Sequence, residues 1–219
     1  MLSVVVPLGC ERDAASLEAA LASCGTAEVR VVAGADVPQA VVRSIRRRGI
    51  ACDRSDAPRG MRLREGARAT RGDVLVFLHA DSVLPTGWGE RLQQSVNVKR
   101  PWGAFRLAFD APGLRLIALG ANLRARLFGL PWGDQSQFVM RETYEAVGGH
   151  PPWPLLDDHE LARRLGRIAR PLLLTPAVRT SARRYRQRGA LRCMADNVRV
   201  LLHHAAGRDV NELARNYRR

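Results

Sequence analysis

Gly72-Asp-Val-Leu-Val-Phe-Leu-His-Ala-Asp81 sets five consecutive apolar residues, 74–78, ahead of an imidazole and a carboxylate. The run is too short to span a bilayer and rich in β-formers, so it predicts a strand covered on both faces, as in a parallel sheet. Ligands of open α/β sheets bind outside the carboxyl ends of their strands, which puts His79, Ala80 and Asp81 where chemistry is expected. A carboxylate at the end of a buried strand is costly unless something compensates it. Mg²⁺ and Mn²⁺ take carboxylate oxygens and complete their shells with substrate phosphates, and an imidazole beside the carboxylate suits Mn²⁺ better. The competing expectation is that Asp81 caps the turn that Ser82 and Pro85 open.

Outward from this stretch the first half alternates. Strands are predicted at 2–6, 28–33 and 50–53, and helices at 14–24, 38–48 and 61–70. Strands alternating with helices imply an α/β fold with a mostly parallel sheet and helices on both faces. In the second half, helices are predicted at 86–96, 114–128 and 158–168, strands at 102–109 and 137–140, and an apolar segment at 171–174. Residues 1–189 are expected to form one domain. The tail, 190–219, carries Leu191, Met194, Val198, Leu201 and Leu202 at helical spacing, with Arg192, Arg199 and Arg208 on its other face. Such a basic amphipathic tail either docks on the domain or lies on a membrane surface.

Composition narrows the partners. At 219 residues and 46% hydrophobic content the chain can bury a large core, and no 18-residue apolar run is present. Residues 1–10 lack a basic leader and break at Pro7, so they are expected to form the first strand rather than a secretion signal. Cys10, Cys24, Cys52 and Cys193 lack paired metal-ligand spacing and are expected to be free thiols in a reducing, cytoplasmic compartment, with the inner face of the membrane as a candidate location. The net charge is +14, carried by 34 arginines and the single lysine Lys99. An excess of this size attracts polyanions: a nucleoside diphosphate, an anionic membrane surface or nucleic acid. Nucleic acid is disfavoured, because the chain has no helix-turn-helix signal, no zinc-finger spacing and only 5% aromatic residues.

Four further segments carry candidate chemistry. They are Pro58-Arg-Gly-Met-Arg-Leu-Arg-Glu-Gly-Ala67 at a helix entry, Gly133-Asp-Gln135 at a turn, Leu155-Leu-Asp-Asp-His-Glu-Leu161 at a helix start, and Thr180-Ser-Ala-Arg-Arg184. Asp157 and Glu160 stand in a capping-box pattern, so Asp157 can cap the helix while Asp158 faces a ligand. Asp134 suits a turn as well as a site. Arg183 and Arg184 fit bidentate phosphate contacts or a solvated surface.

In this order, after an N-terminal strand ending at Pro7, these segments resemble the inverting glycosyltransferase family 2, with its GT-A fold. The similarity is closest to the short rSAM/selenodomain-associated branch and covers nearly the whole chain. The resemblance implies a nucleotide-diphosphate sugar as donor, a divalent cation (Mn²⁺ or Mg²⁺) and a hydroxyl acceptor, lipid-linked acceptors included. It maps the nucleotide site to Val5, Pro7, Glu11, Asp53, Arg59, Gly60, Gly66, His79, Ala80 and Asp81, with Arg183 and Arg184 at a late diphosphate-contacting motif. Asp81 corresponds to the last acid of the family's Asp-x-Asp metal motif, whose first member is His79 here, so both are the implied metal ligands. Asp158 corresponds to the general base that takes the proton of the attacking hydroxyl, and Trp132, Asp134, Gln135 and Asp157 to the acceptor side. A nucleotidyltransferase is disfavoured, because Gly9-Cys-Glu-Arg-Asp13 offers only one glycine for a phosphate loop. The rival expectation is an inactive basic module on the same fold that binds a nucleotide or a membrane surface.

Overall fold

The computed structural model describes residues 1–218. The first half follows the predicted alternation: β1 (Leu2–Leu8), α1 (Glu11–Ala22), β2 (Glu28–Ala33), α2 (Gln39–Arg47), β3 (Ala51–Arg54), α3 (Arg59–Arg68) and β4 (Val74–Phe77). Then come β5 (Ser82–Val83), α4 (Trp88–Ser95), β6 (Trp102–Phe109), α5 (Arg115–Phe128), β7 (Phe138–Met140), α6 (Arg141–Ala146), α7 (Asp157–Leu165) and β8 (Leu172–Thr180). The chain ends in α8 (Arg183–Arg188), α9 (Ala190–Ala205) and α10 (Val210–Arg218). All eight strands form one sheet in the order β3-β2-β1-β4-β7-β6-β8-β5. The first four run parallel, β6 parallels β8, and β7 and β5 run against their neighbours.

Residues of β1 divide between the two faces as period-2 geometry requires. Val4, Val6 and Leu8 join Leu17, Val42 and Ile45 on one side, and Val5 joins Leu63, Ala67, Leu161 and Leu165 on the other. Helix α3 approaches the sheet closely enough that a Cβ on Gly66 would sit 2.4 Å from Val5 Cγ1 and 3.1 Å from Val32 Cγ2.

Two expectations are corrected. The strand expected to run to Asp81 ends at Phe77; Leu78 N–H still reaches Val5 O at 3.0 Å, and the chain then turns, with Ser82 N–H donating to His79 O at 3.1 Å. Leaving the sheet is what frees His79 and Asp81 to face a cavity. The capping box at α7 does not form. Leu156, in left-handed backbone at φ 61°, precedes the helix, and Glu160 turns its carboxylate to Arg163 and Arg164 at 2.7–2.9 Å.

The tail helices pair with each other through Tyr217 O–H, which donates to Asn197 Oδ1 at 2.8 Å, and meet the domain where Arg184 lies 4.3 Å from the Tyr217 ring centroid and His204 meets the Trp153 ring. Among the described residues no helix is long and apolar enough to cross a membrane.

Candidate active site

The sheet order reverses between β1 and β4, and at such a switch point the loops leaving adjacent strands part to open a crevice. A cavity of about 170 Å³ lies there, lined by Pro7 of β1, Gly9 after it and Asp13 of α1, by His79, Ala80 and Asp81 after β4, and by Arg59 and Arg62 of α3. Wider depressions of about 550 and 920 Å³ elsewhere contain none of the predicted site residues. Burial pushes the Asp81 carboxyl above its ordinary value; Arg183 opposes this and Asp13 adds to it. Arg183 spans the cavity mouth, with Nη2 on Asp13 Oδ1 and Nη1 on Arg12 O, both at 2.8 Å.

Behind the cavity, Arg59 Nη1 forms a bidentate pair with Asp157 at 2.6 and 2.7 Å, and Nη2 donates to His79 Nε2 at 2.6 Å. An arginine has no lone pair to offer, so His79 Nε2 is the acceptor and its proton sits on Nδ1. Burial first, and then the Arg59 charge, push His79 down to about 3. His79 is therefore neutral and its Nε2 is committed to Arg59. Gly60 lets α3 start under the loop that carries Asp157: its N–H donates to Trp153 O at 3.0 Å, and a Cβ there would meet Pro151 O and Asp157 Cβ.

Asp158 opens α7. Its Oδ2 accepts from Gly133 N–H at 2.5 Å and its Oδ1 from His159 N–H at 2.8 Å. Burial would raise its pKa, but the Arg59 charge and the Gly133 and His159 N–H groups outweigh it and hold the carboxyl below the usual range. A Cβ on Gly133 would lie 2.8 Å from both Asp158 Oδ2 and His79 Nε2 and 3.0 Å from Arg59 Nη2, so these groups converge on one stretch of bare backbone. On its far side Asp158 lines a second cavity of about 100 Å³ with Trp132, Leu155, Leu156, His159, and Asn197, Val200, Leu201 and Tyr217 of the tail.

The Gly133–Gln135 turn separates the two cavities. Arg124 of α5 lies 3.7 Å from the centroid of the Trp132 ring and donates to Gln135 Oε1 at 3.3 Å. Gln135 in turn donates to Phe105 O at 3.2 Å. Asp134 is pushed up to about 6 by burial, which Arg124 opposes and Asp158 and Asp81 reinforce. Its Oδ1, Trp132 Nε1, Ser136 Oγ, Gln137 Oε1 and His159 Nδ1 are buried without a hydrogen-bond partner. Such atoms are rare in folded chains, and five in one neighbourhood call for polar partners from outside the chain, water included. Ser136, at φ 46°, and Leu156, at φ 61°, are the two non-glycine residues with left-handed backbone among those described, and both border this region. Strain of this kind persists where the surroundings over-determine it, as binding sites do.

The structure thus brings together Pro7, Arg59, His79, Ala80 and Asp81 at one cavity and Trp132 and Asp158 at the other, with Asp134, Gln135 and Asp157 around the turn between them. Gly60 and Gly66 act by close packing, and Val5 is core. Glu11 is exposed at the start of α1, and Asp53 is paired with Arg30 at 2.8 Å; neither lines the cavity. Arg183 reaches the cavity mouth, whereas Arg184 stacks on Tyr217. Sequence reasoning missed Asp13, Arg62, Arg124, His159 and Tyr217. Asp13 alone carried a local signal, an acid in the first turn after a strand end.

Among the described residues no three His, Cys, Asp or Glu side chains form a metal site by themselves. Asp81 with Asp13 at the cavity wall is instead a carboxylate donor set suited to a hard cation that takes its remaining oxygens from a substrate's phosphates.

No family model matches the sequence, and no curated protein does. Solved structures do resemble the fold. S. aureus TarS 1–349 in complex with UDP-GlcNAc matches with a TM-score of 0.63 and 12% identity over 82% of this chain and 58% of that one. Mannosyltransferase PcManGT from Pyrobaculum calidifontis, in complex with GDP-Man and Mn²⁺, matches with a TM-score of 0.57 and 16% identity over 82% of this chain and 56% of that one. The chain spans under two thirds of either, and what it shares with them is the fold.

Proposed function

We propose that the chain is an inverting glycosyltransferase that moves a sugar from a nucleotide-diphosphate sugar to a hydroxyl acceptor, with Asp158 as general base. The observation that carries this reading is the position of Asp158. It stands between a polar, carboxylate-and-arginine cavity at the β1/β4 switch point and a largely apolar cavity under the tail. The UDP-GlcNAc and GDP-Man complexes of the fold's neighbours support a nucleotide sugar in the first cavity.

The residues divide the work by chemistry. A donor diphosphate in the switch-point crevice would lie beside Asp81, where a divalent cation would offset the negative charge that grows on the leaving group. Arg183, at the cavity mouth, can exchange its pairing with Asp13 for the phosphates, an anion of higher charge. An acceptor hydroxyl in the second cavity meets Asp158, ionised because Arg59 and two backbone N–H groups hold its pKa down. As the hydroxyl oxygen bonds to the anomeric carbon, its proton passes to a carboxylate oxygen. Attack on the face opposite the diphosphate inverts that carbon. Neutral His79 and bidentate Arg59 position this wall without competing for the proton.

The test is nucleoside diphosphate release from UDP- and GDP-sugars by the full chain, compared with Asp158→Asn. The variant should keep donor affinity within about threefold and lose transfer by roughly 10²–10⁴-fold. Undiminished turnover in Asp158→Asn would remove the base assignment.

A further inference from the structure

Helix α5 buries Ala118, Ala121 and Ala125 against the sheet and turns Leu116, Leu119, Leu123 and Leu127 to solvent, each more than half exposed. Their spacing of three, then four and four, draws one stripe, and Phe128, 71% exposed, stands at its end. Four exposed leucines in line are unusual on a soluble surface and mark an interaction site. Two clefts of about 550 and 480 Å³ border the helix and share Arg106, Leu119 and Asn122. Arg115 and Arg179 line the first, and Arg126 and Arg170 the second, and all five arginines are exposed. Among the described residues none of the five has an ion-pair partner. Asp110, the carboxylate in the first cleft, is already taken by Ala182 N–H and Arg186. The sequence around the helix is equally one-sided: no acid occurs from 111 to 133, and none between Glu160 and Asp196.

We infer that α5 is a docking surface for an anionic lipid bilayer, with its leucines entering the interface and the surrounding arginines meeting the headgroups. The occupant follows from the pairing of charge with exposed aliphatic area. Nucleic acid would use the arginines and leave the leucines in water, since bases stack on aromatic rings and not on leucine. A second copy packing stripe to stripe would bring Arg115 and Arg126 of both chains together, which like charge opposes. The inner faces of α5 and α9 meet at one residue: Arg124 lies over Trp132, and Val200 and Leu201 share the cavity that Trp132 lines. Docking through α5 therefore sets the side of the molecule that holds Trp132 toward the bilayer. The inference does not depend on sugar transfer.

Co-sedimentation of the full chain with phosphatidylcholine vesicles, with and without phosphatidylglycerol, tests it. Wild type should pellet with the anionic vesicles only. Leu119→Gln/Leu123→Gln and Arg115→Gln/Arg126→Gln should each bind about tenfold more weakly while keeping the wild-type circular dichroism and melting temperature. Three results would overturn the inference: no pelleting with anionic vesicles, pelleting of either α5 variant equal to that of wild type, or loss of pelleting only in Leu191→Gln/Val198→Gln of the tail. A concentration-dependent dimer abolished by Leu119→Gln/Leu123→Gln would overturn it in favour of a second copy.

Discussion

Arg59 holds two groups at once, Asp157 through a bidentate pair and His79 through Nε2, and Asp157 is wholly buried. Removing one partner strands a charge away from water, so Arg59→Met should cost about 3–5 kcal/mol of stability. Arg59→Met combined with Asp157→Leu should recover most of that loss in a urea titration, because no unpaired charge is left; an equally unstable double variant would count against the pair as described. Asp134 behaves in the opposite sense. Its carboxyl rises from 3.8 to about 6, chiefly through burial, so between these values the folded chain keeps a proton that the unfolded chain has released. The stabilisation this gives is complete below pH 3.8 and is lost as pH rises through about 6. Asp134→Asn removes the dependence and should stabilise the chain by on the order of 1–2 kcal/mol near neutral pH and by little at pH 4. A stability difference that does not change between those pH values would show that Asp134 is not held as the structure has it.

Helix α3 reaches the sheet through Gly66, whose missing side chain leaves room for Val5 and Val32. Gly66→Ala should lower stability by about 1–3 kcal/mol, since two β-branched neighbours in a packed core cannot both give way. Gly120, on the open side of α5, has nothing within 4 Å of an added Cβ, and Gly120→Ala should gain about 0.5–1 kcal/mol. Denaturant midpoints that move the same way in both variants would contradict this account of the packing. The long elements were legible because their cores are continuous. Strands β2 and β6 have the predicted bounds, and β1, β3, α2 and α5 differ by a residue or two. The expected 171–174 segment extends into β8 as far as Thr180: Pro176 and Arg179 break the apolar pattern, and the pairing with β6 shifts register after Leu174 and resumes at Val178. The short elements α6, α8 and β5 went unpredicted, since two to six residues hold fewer than two periods and cannot show a repeat. Asp81, Arg59 and Asp158 stood out because each follows a strand or opens a helix. Asp13 and Tyr217 did not, because their roles come from contacts across the chain, Arg183 to Asp13 and Tyr217 to Asn197.

Across the whole molecule, the halves of the sheet and the tail enclose Asp158 between two cavities that no single segment forms. Net charge of +14 surrounds a site in which Asp13, Asp81, Asp134 and Asp158 are concentrated, a field that draws an anionic donor toward the chain while Asp81 stays available to a cation. The tail contributes Asn197, Val200, Leu201 and Tyr217 to the cavity beside the base, so it belongs to the working site as much as the sheet does. The most direct measurement is calorimetric titration of the full chain with UDP and with GDP, with and without Mn²⁺, on wild type, Asp81→Ala and Asp158→Asn. The account predicts that one nucleotide binds with Mn²⁺ enhancement, that the enhancement is lost in Asp81→Ala, and that Asp158→Asn binds as wild type does. Absence of binding by either nucleotide, or Mn²⁺-enhanced binding unchanged in Asp81→Ala, would contradict it.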